Sequence, residues 1–329
     1  MNPPPRFARV AVIGPGLLGG SFAGALKRRL LADRVVGFSS GADAGRALAL
    51  GLIDERAASL EDAVAGADLV MLAAPVSINC ALFERVVPRL APGALLTDVS
   101  SVKAPVVAAA RRALGARIVA FVPGHPIAGG ERTGPDAADP DLFVGRSVVL
   151  SPLPESSPAL TAVLAALWRA VGAQVAELTP EAHDRIYALV SHWPHALAFA
   201  VAAAVAVDGD GDGTGQGAGD VDGASDGAVV GAVADASEGG GDGGRSAAAF
   251  AGPGLLDMTR IAASSPALWA DILLHNTAPA LAAAARIDGW SARIAAALRA
   301  GDRDELIRLF EVGAAWRRSV APRSADSPG

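Results

Sequence analysis

The stretch Arg9-Val-Ala-Val-Ile-Gly-Pro-Gly-Leu-Leu-Gly-Gly-Ser21 decides the fold. Val10 to Ile13 is a short apolar run, the pattern of a strand buried on both faces. Gly14, Gly16 and Gly19 follow at G-x-G-x-x-G spacing, and Ser21 to Leu31 reads as a helix. Each glycine has a physical task. Gly14 makes a tight turn, Gly16 lets backbone approach a pyrophosphate, and Gly19 lets helix pack on strand. The helix N-terminus offers free N–H groups and partial positive charge to phosphates. Gly14, Gly16, Leu17, Leu18 and Gly19 are therefore the candidate dinucleotide contacts.

Outward from that stretch, strand and helix alternate. Arg34–Phe38 reads as the second strand, Ala44–Leu50 and Leu60–Ala65 as helices, and Ala67–Ala73 as the third strand. The third strand ends at Ala74-Pro75, and ligands of open α/β sheets lie at strand C-termini. Cys80–Leu90 and Pro105–Leu114 read as helices around a strand at Ala94–Asp98. Ile118–Val122 reads as a fifth strand, followed by a further strand at Ser147–Ser151, a helix at Ala159–Val171 and a strand at Gln174–Leu178. This alternation predicts an α/β Rossmann-type doubly wound parallel sheet over residues 1–179.

From Pro180 the strand signals stop. Thr179-Pro180-Glu181 opens a helix with an N-cap, a proline at N1 and an acid in the first turn. Helices are expected over Glu181–Val190, Leu255–Ala263, Pro266–Asn276, Pro279–Arg286, Trp290–Arg299 and Asp304–Arg318. The expected second domain, residues 180–321, is all-α, with a frayed tail over 322–329. The Ala-rich run Ala196–Val207 is too short to span a membrane and reads as a buried helix.

Composition narrows the function. The chain has 329 residues, 51% of them hydrophobic, enough for a sizeable core. One cysteine, Cys80, excludes an internal disulfide and a thiolate cluster. The N-terminus carries no apolar signal segment. A cytoplasmic protein without membrane association is expected. The net charge of −6 is uneven: Asp208–Ser246 holds nine acids and one arginine, a net −8, so the remainder carries +2. No basic stripe with interleaved aromatics is present, so nucleic acid is not an expected partner.

Asp208–Ser246 is rich in Asp and Gly and cannot bury enough surface to offset its ordering entropy. It reads as a disordered insertion in the helical domain. Asp208-Gly-Asp210-Gly-Asp212-Gly213 matches the start of a calcium loop, but Gly219 stands where the bidentate Glu is needed. No metal is expected there. His192 and His195 stand three apart, yet no acid or thiol accompanies them at useful spacing and Pro194 intervenes.

The end of the second strand reads Phe38-Ser39-Ser40-Gly41, without the acid that holds the adenosine ribose. Ser39 and Ser40 fit either a hydroxyl or a phosphate, or shape a turn. The cofactor is NAD or NADP, undecided between them. Of the five histidines, His125 lies in a Gly- and Pro-rich turn after a strand, near Glu131. A histidine there can take an alcohol's proton as hydride leaves its carbon. Arg260 suits either a carboxylate clamp or a salt bridge, with Asp257 close by.

These residues together resemble the prephenate/arogenate dehydrogenase family. The motifs are Val-Ile-Gly-Pro-Gly-Leu-Leu-Gly-Gly-Ser21, Thr97-Asp-Val-Ser-Ser-Val-Lys103, Gly124-His-Pro-Ile-Ala-Gly129, Val190-Ser-His-Trp-Pro-His195, and Asp257-Met-Thr-Arg-Ile-Ala262 followed by Pro266 and Trp269. They span roughly residues 8 to 320. The resemblance implies oxidative decarboxylation of prephenate or arogenate, with a nicotinamide cofactor. It implies His125 as the catalytic histidine on the ring hydroxyl, and Ser101 beside that hydroxyl or the nicotinamide. It implies Arg260 on a substrate carboxylate, with His195 and Ser191 lining the pocket. Glu131 would meet arogenate's ammonium or pair with an arginine. The family's helical domain forms an intertwined homodimer, through which Trp269 would reach the partner's site.

Three departures stand out: the absent ribose acid, Gly252-Pro253-Gly254 before the arginine motif, and the Asp/Gly insertion. No fused mutase before the first strand and no regulatory domain after Arg318 is expected. A β-hydroxyacid dehydrogenase would need a catalytic lysine after Pro180, and the chain's lysines are Lys27 and Lys103. A non-catalytic dinucleotide-binding dimer would not need both His125 and Arg260.

Overall fold

A computed structural model describes residues 3–130, 132–207 and 250–320. The expectations for Asp208–Ser246 and its calcium-type spacing, for Glu131 and for the tail beyond residue 320 lie outside the described residues. Two compact units result. One comprises residues up to Trp193 together with those from Pro266 onward, and the other is Pro194–Ser265.

The first unit is built on a six-stranded parallel sheet. Its strands are β1 (Phe7–Ile13), β2 (Ala32–Phe38), β3 (Glu55–Arg56), β4 (Leu69–Leu72), β5 (Leu95–Asp98) and β6 (Phe121–Val122). Their order is β3-β2-β1-β4-β5-β6, the dinucleotide-binding arrangement. The order reverses between β1 and β4, so the loops after Ile13 and after Leu72 flank the crevice at the switch point. Period-two alternation sends each strand's side chains into two cores. Ala11, Ile13, Val70 and Leu72 meet α3 (Leu60–Val64), α4 (Val76–Val86) and α5 (Ala104–Leu114). Val10, Val12, Leu69 and Met71 meet α1 (Leu17–Arg28) and α6 (Pro158–Ala170). Burial on both faces is why these strands read as unbroken apolar runs.

The strands after β6 form a second sheet instead of extending the first. It contains β7 (Gly124–Pro126), β8 (Ser147–Leu150) and β9 (Gln174–Glu177) in that order. β7 pairs antiparallel with β8, and β8 parallel with β9. His125, expected in a turn, is thus the middle residue of a strand, opposite Val149. The strand expected from Ile118 begins only at Phe121, because Gly115–Ala120 winds as a 3-10 turn.

α2 (Asp43–Ala49) follows β2. α7 (Pro180–Tyr187) starts as its sequence requires, with Thr179 Oγ1 accepting from Ala182 N at 3.2 Å. A π-helical turn, Ala188–His192, joins α7 to α8 (Trp193–Val207). In α8 only Ala198 is buried, so the expected buried helix is corrected: among the described residues its apolar flank is only partly covered. The continuous run Pro180–Val207 has the length and hydropathy of a membrane span. Its first turns, however, carry Glu181, Asp184 and Arg185, with Asp184 bonded to α5, so it is read as a helix of the folded protein. α9 (Pro253–Thr259) passes into a 3-10 turn at Arg260–Ala263. α10 (Pro266–His275), α11 (Thr277–Ala300) and α12 (Arg303–Ser319) are the last elements among the described residues. The two helices expected over Pro279–Arg286 and Trp290–Arg299 are one. Gly289 lies within it, and a helical glycine costs only about 1 kcal/mol.

Candidate active site

The glycine motif divides its tasks as the spacing requires. Gly14 has φ +89° and donates to Phe38 O at 2.8 Å; a Cβ there would stand 2.9 Å from Ala73 O. A Cβ on Gly19 would overlap the Gly14 carbonyl oxygen and press on Val12 and Ala73. Around Gly16 the situation is opposite: the nearest atoms to an added Cβ are Asp43 Oδ2 at 3.9 Å and a Gly134 carbon at 4.0 Å. Gly16 is also the N-cap of α1, with no side chain closing the first turn. Open space above uncapped helix N–H groups fits a dinucleotide pyrophosphate. Leu17 and Leu18 provide the first of those N–H groups.

Across the switch point, Ala74 is half-buried and Pro75 exposed. Asn79 fixes their loop. Its Oδ1 accepts from Ala74 N at 3.2 Å, and its Nδ2 donates to Leu72 O at 3.3 Å and Ser100 Oγ at 2.9 Å. Asn79 carried no motif signal in the sequence. At the end of β2, Ser39 Oγ donates to Gly41 O at 3.1 Å and accepts from Ala44 N at 2.9 Å. Ser39 thus shapes the turn into α2, while Ser40 is exposed.

β5 ends on a buried ion pair. Lys103 Nζ donates to Asp98 Oδ2 at 2.6 Å and Gly124 O at 2.5 Å, and both side chains are 0% exposed. Asp98 Oδ1 also accepts from Gly124 N at 3.2 Å. This clamp fixes the residue immediately before His125 to the carboxyl end of the main sheet. Burial pulls the Lys103 ammonium pKa down; the Asp98 charge and hydrogen bond resist that pull. Ser101 sits half-buried in the same loop.

His125 is buried and takes part in a chain of hydrogen bonds. Its Nδ1 is 2.8 Å from His183 Nε2, and His183 Nδ1 is 2.8 Å from Asp184 Oδ1. The Asp184 carboxylate also accepts at the N-terminus of α5, from the N-cap Lys103 N to Oδ1 and from Ala104 N to Oδ2, both at 2.7 Å. An ionised Asp184 can only accept, which assigns the His183 proton to Nδ1. His183 Nε2 is then an acceptor, the His125 proton lies on Nδ1, and His125 Nε2 keeps its lone pair. Burial, reinforced by the His183 and Lys103 charges, holds His125 well below the ordinary imidazole pKa. His183 is lowered too, burial outweighing its bond to Asp184. The Tyr187 ring closes edge-on against His125, with centroids 5.1 Å apart.

The network continues along the helices. Asn276 Nδ2 donates to Asp184 O at 2.9 Å and stands 2.9 Å from His192 Nδ1. The His192 and Trp269 ring centroids are 6.4 Å apart, and Trp269 packs on the core beneath α4 and α5. Of the expected site residues, the first unit therefore holds His125, Ser101, Ser191, Trp269 and the dinucleotide cradle. His195, half-buried on α8, and Arg260, exposed where α9 passes into its 3-10 turn, belong to the second unit. His183, Asp184, Asn276 and Lys103 were not singled out as site residues. Lys103 ends the Thr97–Lys103 motif, the signal for His183 and Asp184 is a polar pair one turn into a capped helix, and Asn276 carries none. Among the described residues, no group of three or more His, Cys, Asp or Glu could hold a metal ion.

The strand order, the glycine turn with one open position and a buried imidazole held neutral at the sheet's carboxyl edge define a dinucleotide-dependent oxidoreductase. Comparison with known proteins narrows the class. The family described as "Prephenate dehydrogenase, nucleotide-binding domain" matches residues 22–177, and "Prephenate dehydrogenase, dimerization domain" matches 179–215 and 227–312. The chain is 31% identical over 319 residues to the prephenate dehydrogenase of Bacillus subtilis strain 168, covering 95% of this chain and 76% of that one. It is 32% identical over 277 residues to the cyclohexadienyl dehydrogenase of Zymomonas mobilis, covering 84% and 83%. The crystal structure of prephenate dehydrogenase from A. aeolicus, in complex with hydroxyphenyl propionate and NAD+, superposes with a TM-score of 0.79 at 27% identity. The match covers 95% of this chain and 98% of that one. The chain belongs to the prephenate dehydrogenase family.

Proposed function

We propose that this chain catalyses the NAD(P)-dependent oxidative decarboxylation of prephenate to 4-hydroxyphenylpyruvate, a step of tyrosine biosynthesis. The observation that carries the reading is the Asp184–His183–His125 chain, which leaves a neutral His125 Nε2 in a chain of this family. When bound, the dinucleotide supplies the acceptor for the hydride leaving C4 of the ring. Gly14, Gly16, Leu17, Leu18 and Gly19 hold its pyrophosphate, with Ser39, Ser40, Ala74 and Pro75 around the crevice.

His125 Nε2 takes the proton of the C4 hydroxyl, and Ser101 orients that hydroxyl. Loss of the ring carboxylate as CO2 leaves its electron pair in the ring, which becomes aromatic. The ring oxygen regains its proton from His125. Aromatisation drives the reaction; the protein contributes placement and charge. Arg260 receives a substrate carboxylate, Ser191 and His195 line the pocket, and Glu131 meets arogenate's ammonium or pairs with an arginine. Residues 1–179 form the dinucleotide domain and 180–321 the helical one. The family's dimerization-domain description supports a homodimer, in which Trp269 reaches the partner's site. The protein is read as cytoplasmic.

The test is the near-ultraviolet absorbance of reduced nicotinamide, with prephenate and either NAD+ or NADP+. Growth with either supports the reading. Similarity to a cyclohexadienyl dehydrogenase favours one second reading, use of arogenate. Absorbance growing with arogenate and not with prephenate would select it.

A further inference from the structure

The carboxylate missing from the end of β2 has a candidate replacement. Asp43 is the first residue of α2, 24 positions beyond Gly19, where a ribose-binding acid is usually about 20 residues on. Its Oδ2 stands 3.9 Å from the position a Cβ on Gly16 would take. Gly16 is the open glycine of the motif, so Asp43 borders the space that the pyrophosphate and adjoining ribose would fill. The turn held by Ser39 Oγ, bonded to Gly41 O and Ala44 N, delivers the acid from the helix instead of the strand.

Among the described residues, Arg46 and Arg56 lie on or against α2, and Arg132 acts on the same Asp136 that Arg46 bonds. Arg46, on the same helix, turns to Asp136, with its Nε 2.9 Å from Oδ1 and 3.1 Å from Oδ2. Arg56 of β3 rests against the helix at Gly45, its Nη1 3.7 Å from where a Cβ would stand. The acid thus borders the space next to Gly16, while Arg46 has an acidic partner of its own.

We propose that Asp43 receives the adenosine ribose hydroxyls and selects NAD(H) against NADP(H). An ionised carboxylate accepts from both hydroxyls of an unmodified ribose. A 2′-phosphate would bring a like charge against it, and like-charge juxtaposition is strongly disfavoured. The proposal rests on the dinucleotide-dependent reading and adds the choice between the two dinucleotides.

The test is direct binding, without substrate. NADH and NADPH are titrated into the full-length protein and followed by reduced-nicotinamide fluorescence. The wild type is expected to favour NADH by about tenfold or more. Asp43→Asn should weaken NADH and bring the two affinities within a few-fold; Asp43→Ser serves if that variant does not fold. Asp136→Asn releases Arg46 and should strengthen NADPH while leaving NADH nearly unchanged. Equal affinities or NADPH preference in the wild type would overturn the proposal, as would a preference unmoved by Asp43 replacement. Binding of neither dinucleotide would overturn both this proposal and the reading beneath it. Turnover of prephenate, measured separately, reports on that reading alone.

Discussion

His125 Nδ1 and His183 Nε2 lie 2.8 Å apart although the residues are 58 positions apart in the chain. One sits on a three-residue strand and the other on a helix capped by Thr179. Their pairing makes the tautomer of the first depend on the second. Replacing His183 with Asn should lower kcat by about tenfold to a hundredfold, less than the ~10²–10⁴ carried by the base itself. Dinucleotide affinity should hold, and the acid limb of the pH–rate profile should move. Unchanged kcat and an unmoved profile would refute the positioning role.

Replacing His125 with Asn removes the lone pair that the proposed mechanism uses as its base. Turnover should fall by about 10²–10⁴-fold with modest change in dinucleotide affinity. Steady-state rates alongside a nucleotide titration provide the check; near-normal turnover would end the assignment.

The depressed His125 and His183 values carry a pH signature. As a base, His125 works while neutral, so kcat/KM should hold as pH falls to about 6.5 and decline only below it. Stability moves in the same direction. Below about pH 6.5 the unfolded chain binds protons that the native histidines refuse, so stability falls with pH by up to about 1.4 kcal/mol per unit for each histidine. Urea unfolding at pH 7.5 and 5.5 should show the loss, and His125→Asn should show less of it.

Lys103 and Asp98 form a fully buried pair. Replacing Lys103 with Ala strands a buried carboxylate and should cost about 3–5 kcal/mol. Lys103→Met combined with Asp98→Asn removes both charges and should recover part of that loss. Thermal midpoints of the single and double variants measure the difference. A single variant as stable as wild type would show that the clamp is not needed.

The glycine motif yields a paired prediction. Gly19→Ala pushes a methyl into the Gly14 carbonyl and should destabilise the fold. Gly16→Ala meets no atom closer than 3.9 Å and should leave the thermal midpoint near wild type while weakening dinucleotide binding. If both variants lose stability alike, the division of tasks is wrong.

β1, β2, β4 and β5 and the helices between them were legible because local pattern and final environment agree there, whereas the two-residue β3 was too short to read and the strand expected from Ile118 was shortened by a 3-10 turn. Strands buried on both faces must be apolar, and a glycine turn with a Cβ excluded on one side must be glycine. In the second sheet β8 and β9 were legible as strands, but β7 and the separation from the main sheet were not, since Gly124–Pro126 is too short for any periodicity and its partner strand begins 21 residues later. His183 and Asp184 were hidden for a different reason. A polar pair in the first turns of a helix reads as solvent-facing until tertiary contact buries it. The break expected near Gly289 did not occur because one glycine cannot end a 24-residue helix.

Asp184 accepts from His183, from the N–H of Lys103, the N-cap of α5, and from that of Ala104, its first residue, with the same two oxygens. The carboxylate that settles the base's tautomer is thus also the cap of a helix. Fraying of the first turn of α5 would free that carboxylate to reorient, and the base would lose its assigned proton position while the sheet behind it stayed folded. Warming the protein should therefore silence turnover several degrees before global melting, making catalysis a thermometer for a single helical turn.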